Sequence, residues 1–347
     1  MGKRKSNISG LARFVFETSA VASPQSSPST PTEAMDNDKT YESREGADRR
    51  GSADALDTRP KKRTKLQAGL LRPGLEKYDA TGLVPFYTEA SQVPPHLQKY
   101  FSQRERYFSL YSSGCLLDEE GWYSVTPEGI ADQIAERCRC NVILDAFCGV
   151  GGNAIAFAKT CERVIALDVS PVRLALARHN AALYGVEDRI EFILADFFSF
   201  ARTLKQHPGR KIDVVFLSPP WGGPSYLSRS PPESQSSKTA SSSSSSAAKA
   251  VENTPEDTYA DYSLSSVRPV HGAELFKIAR GITNNVAYFL PRNTSLEELS
   301  CLLTPEGAST TASDRVEVEE EWMGSKLKAL TCYFGGLVTG QEDLFSA

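Results

Sequence analysis

The sequence predicts a doubly wound α/β fold, in which a mostly parallel, seven-stranded sheet lies between two layers of helices. Short apolar runs alternate with helical patterns between residues 141 and 303, and continuous apolar strands are typical of a parallel sheet that is covered on both faces. The last two strand patterns flank a short Gly-Ser-Lys turn and predict an antiparallel hairpin at one edge. A small helical extension, residues 76–140, precedes the sheet domain, residues 141–337.

Each predicted element has a local signal. Aromatic residues near helical spacing predict one helix over 93–113 with a buried face. Thr126 and Pro127 predict the N-cap and first turn of a helix that reaches Cys138. The other predicted elements are strands at 141–147, 163–169, 189–196, 211–218, 284–291, 315–323 and 328–337, and helices at 153–160, 170–184, 271–282 and 295–303.

Composition separates the folded part from its flanks. Residues 1–75 contain few aliphatic or aromatic residues and much Ser, Pro, Asp and Arg, which predicts a disordered tail. The Ser-rich residues 228–256 predict a disordered insert within the sheet domain, and residues 338–347 a C-terminal tail. The formal net charge is −4, and the N-terminal tail has 14 Lys and Arg against nine Asp and Glu. The remainder is therefore acidic, so any contact with nucleic acid requires a local basic patch.

A basic run, RPKKRTK at residues 59–65, lies in the predicted N-terminal tail. It resembles a nuclear-import signal that a receptor would reach easily. The alternative is a solvated run of charges without a partner. The first interpretation predicts a nuclear protein with an import receptor among its partners.

Cysteine and histidine spacing argues against a metal site. The seven cysteines form no C-x-x-C pair, and the four histidines do not cluster with them at ligand spacing. We therefore expect reduced, intracellular thiols and no bound metal. No apolar run approaches membrane-spanning length, so we expect no membrane partner.

A glycine-rich loop, DAFCGVGG at residues 145–152, follows the first predicted strand of the sheet domain. Glycines let the backbone turn sharply and approach a ligand at the start of the next helix. Gly149 and Gly151, with Ala154, also fit the dinucleotide pattern G-x-G-x-x-G/A. The loop alone leaves three interpretations open: NAD binding, S-adenosylmethionine binding and a plain tight turn.

Acidic residues at three successive strand ends favour S-adenosylmethionine. Asp145 precedes the glycines, where a carboxylate would repel a pyrophosphate but accept a hydrogen bond from a methionine amino group. Asp168 is placed to bind ribose hydroxyls. Asp196 is placed to face the adenine amino group, with Phe197 beside the ring. Ligands of open α/β sheets bind at the carboxyl ends of strands. Asp168 and Asp196 have the alternative role of ordinary turn residues.

The stretch LSPPWGGP at residues 217–224 ends the fourth strand of the predicted sheet domain. The Ser218 side chain and the Pro219 carbonyl are placed to accept the two N–H groups of an exocyclic amine, so that its nitrogen pyramidalises toward the methyl donor. The prolines fix that carbonyl without adding N–H groups, and no strong base is needed because the proton leaves after transfer. Trp221 would stack on the target base, the alternative being a buried core tryptophan.

The motifs together resemble those of the trimethylguanosine synthases, a family of RNA cap guanosine-N2 methyltransferases. The resemblance covers about residues 93–337, interrupted by the Ser-rich insert. It implies the Rossmann-like fold of S-adenosylmethionine-dependent methyltransferases and the transfer of two methyl groups to N2 of 7-methylguanosine caps. The segments that carry it are DAFCGVGGNAIAFA, IALDVSP, ALARHNAALYG, SPPWGGPSY, ITNNVAYFLPRN, KLKALTCYFG and KYFSQRERYFSLYSSGCLLDEEGWYSVTPEGIA.

The resemblance also implies residue roles and partners. Trp221 stacks on the cap base, while Ser218 and Pro219 frame N2. The implied partners are capped small nuclear and small nucleolar RNAs and ribonucleoprotein core proteins, in the nucleus and nucleolus. Residues that would line the cofactor pocket are Asp145, Asp168, Asp196, Phe197, Phe108 and Thr126, and those that would hold the cap phosphates are Lys99, Tyr226, Arg292 and Lys326, with Lys328 as an alternative to Lys326.

Two rival functions remain at this point. The first is an N-methyltransferase acting on adenine or on a glutamine amide, although the glycine pair after Trp221 and the upstream aromatic helix speak against it. The second is a non-catalytic RNA-binding or assembly factor built on a methyltransferase fold. Such a protein would be free to lose Asp145, the glycines or Ser218, and all are present.

Overall fold

A computed structural model describes most of the predicted domain and little of its flanks. The described residues are 13–17, 69–206, 209, 211–222, 261–303 and 315–338. The basic run at 59–65, the Ser-rich insert at 228–256 and the C-terminal tail after Val338 lie outside them, so their predicted character is not tested. Val338 itself belongs to a final 3-10 turn, Gly335–Val338.

One mixed sheet organises the protein. Its strand order is β1-β7-β8-β6-β5-β2-β3-β4. The five strands from β2 to β6 run parallel, and β8, β7 and β1 continue the sheet in antiparallel pairing. This confirms the predicted doubly wound α/β fold with a C-terminal antiparallel hairpin. The strands are β1 Arg13–Glu17, β2 Val142–Asp145, β3 Arg163–Asp168, β4 Ile190–Leu194, β5 Val214–Leu217, β6 Val286–Pro291, β7 Arg315–Met323 and β8 Lys326–Phe334.

The sheet has an eighth strand that the sequence analysis did not predict. Arg13–Glu17, within the predicted disordered tail, pairs with β7, with Phe14 opposite Val318 and Phe16 opposite Val316. The reason is that β7 would otherwise present an edge of unpaired backbone groups. The segment RFVFE contains three consecutive residues that favour strands.

Helices cover both faces of the sheet. One core lies under the extension together with α4, α5 and α6. The other lies under α7, α8 and α9. The helices are α1 Gln98–Phe101, α2 Arg104–Tyr107, α3 Glu119–Ser124, α4 Glu128–Arg137, α5 Gly152–Thr160, α6 Pro171–Tyr184, α7 Phe197–Gln206, α8 Gly272–Arg280 and α9 Leu296–Cys301.

The extension is helical but broken, contrary to the prediction of one helix over 93–113. Two four-residue helices, α1 and α2, are joined to 3-10 turns. Gln103, between the helices, has ψ of 11° and ends the regular ladder. The aromatic rings still form a buried cluster, since Phe101 and Tyr111 both contact the ring of Trp122. The helical spacing of these residues therefore reflects packing against the α3 region and not a continuous helix.

The start of α4 also differs from the prediction. Pro127 is the N-cap residue, and the helix begins at Glu128. Thr126 lies one residue before the N-cap position, and its hydroxyl donates to Asn153 Oδ1 at 2.7 Å. Thr126 instead ties the start of α4 to α5.

A buried charged network links α4 to the hairpin. Glu317, Glu319 and Glu321 lie on one face of β7, each at most 2% exposed. The Arg137 guanidinium donates to Glu317 at 2.9 Å and to Glu319 at 3.4 Å. Glu321 Oε1 accepts from the Thr331 hydroxyl at 2.5 Å. Burial, followed by the neighbouring Glu319, raises the pKa of Glu321 to about 8.

The described helices include none that is both long and apolar enough to cross a membrane. In the same residues, no group of three or more His, Cys, Asp or Glu side chains is placed to hold a metal ion.

Candidate functional site

The predicted site residues lie along one edge of the sheet. Neighbouring strands bring their functional ends together in the order Asp168 (β3), Asp145 (β2), Ser218 (after β5), Arg292 (after β6) and Lys326 (start of β8). The edge therefore changes from acidic to basic, with the Ser-Pro-Pro-Trp motif between the two halves. This order depends on the strand arrangement, which the linear sequence does not show.

The middle of this edge is the switch point of the fold. The chain passes from β2 outward to β3 and β4, and then returns to β5 on the other side of β2. Asp145 pairs in register with Phe216 of β5, so Asp145 and Ser218 end adjacent strands. Open α/β sheets bind ligands in the crevice at this position.

The glycine loop is shaped by two positive backbone angles. Gly149 has φ of +53° and Gly151 of +92°, a region that residues with a Cβ avoid. A Cβ at Gly151 would lie 3.1 Å from Ala177 Cβ, whereas a Cβ at Gly149 would meet no atom within 4 Å. Gly151 thus lets the loop pack on α6, and Gly149 leaves open space above the loop.

Asp145 fits a cationic ligand group. It is fully buried, and its Oδ1 accepts only a 3.3 Å bond from the Phe147 N–H. Within the described part of the chain, its Oδ2 is buried and has no hydrogen-bond partner. Burial raises the pKa of Asp145 to about 7. The hydrogen bond from the Phe147 N–H lowers the pKa, and the negative charge of Asp168 raises it further. A buried carboxylate oxygen without a partner is costly, and an ammonium group would satisfy it.

Asp168 joins the glycine loop to the turn that follows β3. Its Oδ2 accepts from the Gly149 N–H at 3.0 Å, and its Oδ1 accepts from the Ser170 N–H at 2.7 Å. Burial raises its pKa, although the bond from Ser170, the Arg173 guanidinium and the bond from Gly149 oppose this. Each oxygen retains a lone pair, so the turn role and the predicted ribose contact are compatible.

Asp196 has the turn role that the sequence analysis kept as its alternative. Its Oδ1 accepts from the Ser199 N–H at 2.9 Å at the start of α7, and this bond lowers its pKa. Phe197 is 2% exposed and packs 6.1 Å from the ring of Phe147. The predicted adenine contacts of Asp196 and Phe197 are not tested and stay predictions.

Two other predicted cofactor residues come from the extension. Thr126 bonds Asn153 in the first turn of α5, next to the glycine loop. Phe108 is 2% exposed and packs 6.2 Å from the ring of Tyr184, the last residue of α6. The next residue, Ser109, donates its N–H to Glu128 at the start of α4, two residues after Thr126. The contact of Phe108 with the cofactor stays a prediction based on resemblance.

The Ser218–Trp221 segment presents acceptors at the switch point. The Ser218 hydroxyl donates to the Phe147 carbonyl at 3.4 Å, which leaves its oxygen lone pairs for an incoming N–H. Pro219 is buried, and no group among the described residues donates to its carbonyl. Both predicted acceptors are therefore available.

Trp221 lies between core and surface. Its half-buried indole packs 5.2 Å from the ring of Phe289 on β6, with the planes tilted by 35°. The Tyr262 hydroxyl donates to its carbonyl at 3.5 Å. The ring contact positions the indole against β6, the Tyr262 bond holds the Trp221 backbone, and the ring is not wholly part of the core.

The predicted phosphate ligands are partly brought together. Arg292 and Lys326 lie at the basic half of the edge, and Arg292 donates to the Leu327 carbonyl at 3.5 Å. Lys326 is the first residue of β8 and not part of the predicted turn. Lys99 is exposed on α1, with its ammonium over the ring of Tyr100. Tyr226 lies outside the described residues.

Sequence reasoning missed a residue that joins the extension to the glycine loop. Asn180 is fully buried on α6, where its amide donates to the carbonyls of Val150 and Leu116. Its carbonyl accepts from the Leu116 N–H at 2.8 Å. The ALARHNAALYG segment contains Asn180, but only the tertiary fold identifies its partners.

Two exposed apolar residues were also missed. Val169 follows Asp168 and is 69% exposed, and Leu194 ends β4 and is 58% exposed. Large exposed apolar side chains at strand ends fit the flat face of an adenine ring. For Val169, an apolar residue directly after a strand-end acid was the available signal.

Together these features fit S-adenosylmethionine. The unpartnered Asp145 oxygen suits its amino group, the open space at Gly149 suits close approach, and Asp168 suits ribose hydroxyls. The strongest single match is the buried Asp145 oxygen, because it requires a donor.

Comparison with known proteins agrees with this chemistry. The model of a family described as RNA cap guanine-N2 methyltransferase matches residues 140–237 and 257–337. The gap between these ranges falls in the Ser-rich insert. The trimethylguanosine synthase of Schizosaccharomyces pombe is 35% identical over 247 residues, covering 70% of this chain and 87% of that protein. The trimethylguanosine synthase of Saccharomyces cerevisiae is 34% identical over 212 residues, covering 59% and 57%.

A putative methyltransferase from Porphyromonas gingivalis W83 aligns with a TM-score of 0.45 and 12% identity, covering 71% of this chain and 52% of that chain.

Proposed function

Because this chain belongs to the RNA cap guanine-N2 methyltransferase family and is an S-adenosylmethionine-dependent enzyme, we propose that it converts 7-methylguanosine caps to 2,2,7-trimethylguanosine. The relatives named trimethylguanosine synthase support the double transfer. The observation that carries the proposal is the order of groups along the sheet edge: acids for the methyl donor, acceptors for the amine, then cations for phosphates.

Catalysis in this proposal rests on orientation. When bound, S-adenosylmethionine supplies an electrophilic methyl group. The Ser218 oxygen and the Pro219 carbonyl accept the two N–H bonds of guanine N2, which turns its lone pair away from the ring and toward the methyl group. Positioning of this kind contributes several kcal/mol, up to about 7–11 kcal/mol in well-oriented systems. Neither acceptor is a strong base, in keeping with proton loss after transfer.

The same acceptors suit a second transfer. After one methylation, N2 still has one N–H, and either oxygen accepts it while the lone pair keeps its direction. The acceptors are fixed by the end of β5 and by the Phe147 carbonyl, so no side chain has to change its protonation state between the two steps.

The test uses the purified protein, S-adenosylmethionine and either 7-methylguanosine triphosphate or GTP, with products analysed by mass spectrometry. We expect products with one and two added methyl groups from the methylated nucleotide and little product from GTP. Titration calorimetry with S-adenosylmethionine distinguishes this enzyme from the rival non-catalytic assembly factor, which would not bind S-adenosylmethionine. A product only from adenine or glutamine substrates would overturn the proposal.

We further propose that the natural substrates are capped small nuclear and small nucleolar RNAs in the nucleus and nucleolus. The basic run at 59–65 supports import by a receptor. Ribonucleoprotein core proteins are the expected protein partners. Immunoprecipitation of trimethylated caps from cells that lack this protein tests the RNA classes, since those caps should be depleted.

A further inference from the structure

Two cysteines lie together where β2 and β3 begin. Val142 of β2 lies opposite Arg163 of β3, and following this parallel register back by two residues places Cys140 opposite Cys161. The backbone continues the pairing there, because Glu162 donates its N–H to the Cys140 carbonyl at 3.3 Å. Residues at matching positions of parallel strands project from the same side of the sheet, so both thiols point in the same direction.

The two sulfur atoms are in hydrogen-bond contact. Cys140 Sγ donates to Cys161 Sγ at 3.9 Å. Cys161 Sγ also lies 3.5 Å from the Cys138 carbonyl oxygen and 3.7 Å from the Thr160 hydroxyl, and these contacts fix its orientation. Neighbouring strands are about 4.8 Å apart, which is within the Cα separation of about 4.4–6.8 Å that disulfides have. A disulfide between these thiols therefore needs rotation of the side chains and no displacement of either strand.

The pair is placed to react with a small oxidant. Cys140 is half-buried, whereas Cys161 is 1% exposed, so an oxidant reaches Cys140 first. The hydrogen bond between the sulfurs lowers the pKa of Cys161 and raises that of Cys140, so the pair gives up one proton readily and keeps the other. Transfer of the remaining proton from Cys140 to Cys161 puts the thiolate, which is the reactive form, on the accessible sulfur.

We propose that Cys140 and Cys161 are a redox-sensitive modification site, at which a hydroperoxide forms a disulfide that cross-links the starts of β2 and β3. The Cys140 sulfur attacks a peroxide oxygen and the O–O bond breaks, which leaves a sulfenic acid on Cys140 and releases water. The Cys161 sulfur then attacks the Cys140 sulfur, the S–O bond breaks, and the hydroxyl leaves with the Cys161 proton as a second water. Two thiols are oxidised to one disulfide, hydrogen peroxide is reduced to two waters, and a thiol reductant reverses the change.

The cross-link would lie at the end of the two strands that is opposite to the cofactor acids. Asp145 ends β2 and Asp168 ends β3, so the affinity for S-adenosylmethionine should not change. The disulfide would close a loop of about 20 residues that contains α5, and this closure constrains the unfolded chain. Oxidation should therefore raise the melting temperature by several degrees. The inference does not depend on the proposed function.

The experiment treats the full-length protein with hydrogen peroxide, blocks the remaining thiols with iodoacetamide and maps the tryptic peptides by mass spectrometry. Trypsin separates Cys140, in the peptide 140–159, from Cys161, in the peptide 160–163. We expect these two peptides to be joined after oxidation and to separate in dithiothreitol. Fragmentation of the joined peptides distinguishes Cys140 from Cys148, which lies in the same peptide.

Cys140→Ser should abolish both the joined peptides and the rise in melting temperature that peroxide produces in the parent. The matched control is Cys301→Ser, which removes an exposed thiol of α9 and should keep both. Binding of S-adenosylmethionine shows that each variant is folded. The absence of joined peptides, including oxidation of Cys140 only to a sulfinic acid, would overturn the inference. Peptides joined through Cys138 or Cys148 instead, or a melting temperature that does not rise, would also overturn it.

Discussion

Asp145 makes the cofactor site sensitive to pH. Burial raises the pKa of this carboxyl to about 7, and only its ionised form can pair with a ligand ammonium group. We expect the affinity for S-adenosylmethionine to fall as pH decreases below about 7, approaching tenfold per pH unit. Titration calorimetry between pH 5.5 and 8.5 measures this directly.

The control for this prediction is Asp145→Asn. Its amide has nearly the same shape but does not ionise, so its affinity should be low and nearly independent of pH in the same range. A parent affinity that stays constant from pH 8 to pH 5.5 would show that Asp145 does not bind the ammonium group.

Trp221 should determine the preference for a methylated cap. Methylation at N7 makes guanine cationic, and a cation over an indole gains about 0.5 to 2 kcal/mol, which corresponds to as much as about thirtyfold in affinity. Trp221→Ala should lose most activity and most of the preference for 7-methylguanosine triphosphate over GTP. Trp221→Phe should keep part of both, because an aromatic face remains.

The indole also packs on Phe289, so loss of fold must be separated from loss of stacking. Binding of S-adenosylmethionine to Trp221→Ala serves this purpose, since Asp145 and the glycine loop are unchanged. Retained cofactor binding with parental activity on methylated caps would disprove the stacking role.

The position of several candidate site residues at the sheet edge was predictable from sequence. Asp145 and Asp168 end their strands, and Ser218 and Pro219 directly follow β5. Their position at the sheet edge therefore depends only on local signals. Asn180 was not predictable, because its partners Leu116 and Val150 lie 64 and 30 residues away. Such contacts arise only when the extension packs on α6.

The junction between the glycine loop and α6 leads to a prediction about elements. Gly151 has φ of +92° and approaches Ala177. Gly151→Ala should destabilise the protein by about 1–3 kcal/mol through backbone strain and weaken cofactor binding. Chemical denaturation and calorimetry measure the two effects.

A second substitution tests the cause. Adding Ala177→Gly removes the Cβ that lies 3.1 Å from the new methyl group but leaves the Cα of residue 177 at 3.2 Å and the strained φ. The double variant is compared with Ala177→Gly alone, because a glycine within α6 is itself destabilising. We expect partial recovery of stability. Full stability of Gly151→Ala alone would show that the loop accommodates a side chain.

Among the elements, the strands of the sheet domain were predicted best. Their apolar runs are continuous and end in turn residues, and the observed bounds differ by a few residues. The prediction of one helix over 93–113 was wrong because buried aromatic residues at helical spacing also occur in a succession of short helices and turns. Helix α7, Phe197–Gln206, was missed because Asp196, the residue before it, was interpreted as a ligand contact or an ordinary turn residue and not as an N-cap.

For the molecule as a whole, the buried acids of β7 predict how stability varies with pH. The pKa of Glu321 is about 8 in the folded protein, against an ordinary value of 4.5. The folded state therefore binds the proton more tightly than the unfolded state. Stability should fall as pH rises from about 4.5 to 8, by at most about 1.4 kcal/mol per unit from this group.

Glu321→Gln removes this dependence and keeps an oxygen for the Thr331 hydroxyl. Its melting temperature should exceed that of the parent at pH 8 by more than at pH 5.5. Glu297→Gln, at an exposed position of α9, should show no such change between the two pH values. An equal difference at both pH values would mean that Glu321 titrates normally.

Localisation also concerns the whole chain. Replacing Lys61, Lys62 and Arg63 by alanine should move a fluorescent fusion from nucleus to cytoplasm, because the basic run at 59–65 would lose three of its five positive charges. Activity on cap analogues should not change, since the catalytic residues belong to the sheet domain. A fusion that stays nuclear would reject the import role.

Pairing of β1 with β7 has a consequence for the part of the chain between β1 and the extension. The segment that contains the basic run leaves the sheet at Glu17 and returns to described structure at Gly69, so it is anchored at both ends. Closing about 50 residues in this way costs little more entropy than closing half as many. A single proteolytic cut between Glu17 and Gly69 would therefore break the covalent link between β1 and the rest of the sheet domain, while the pairing of β1 with β7 would still join the two pieces.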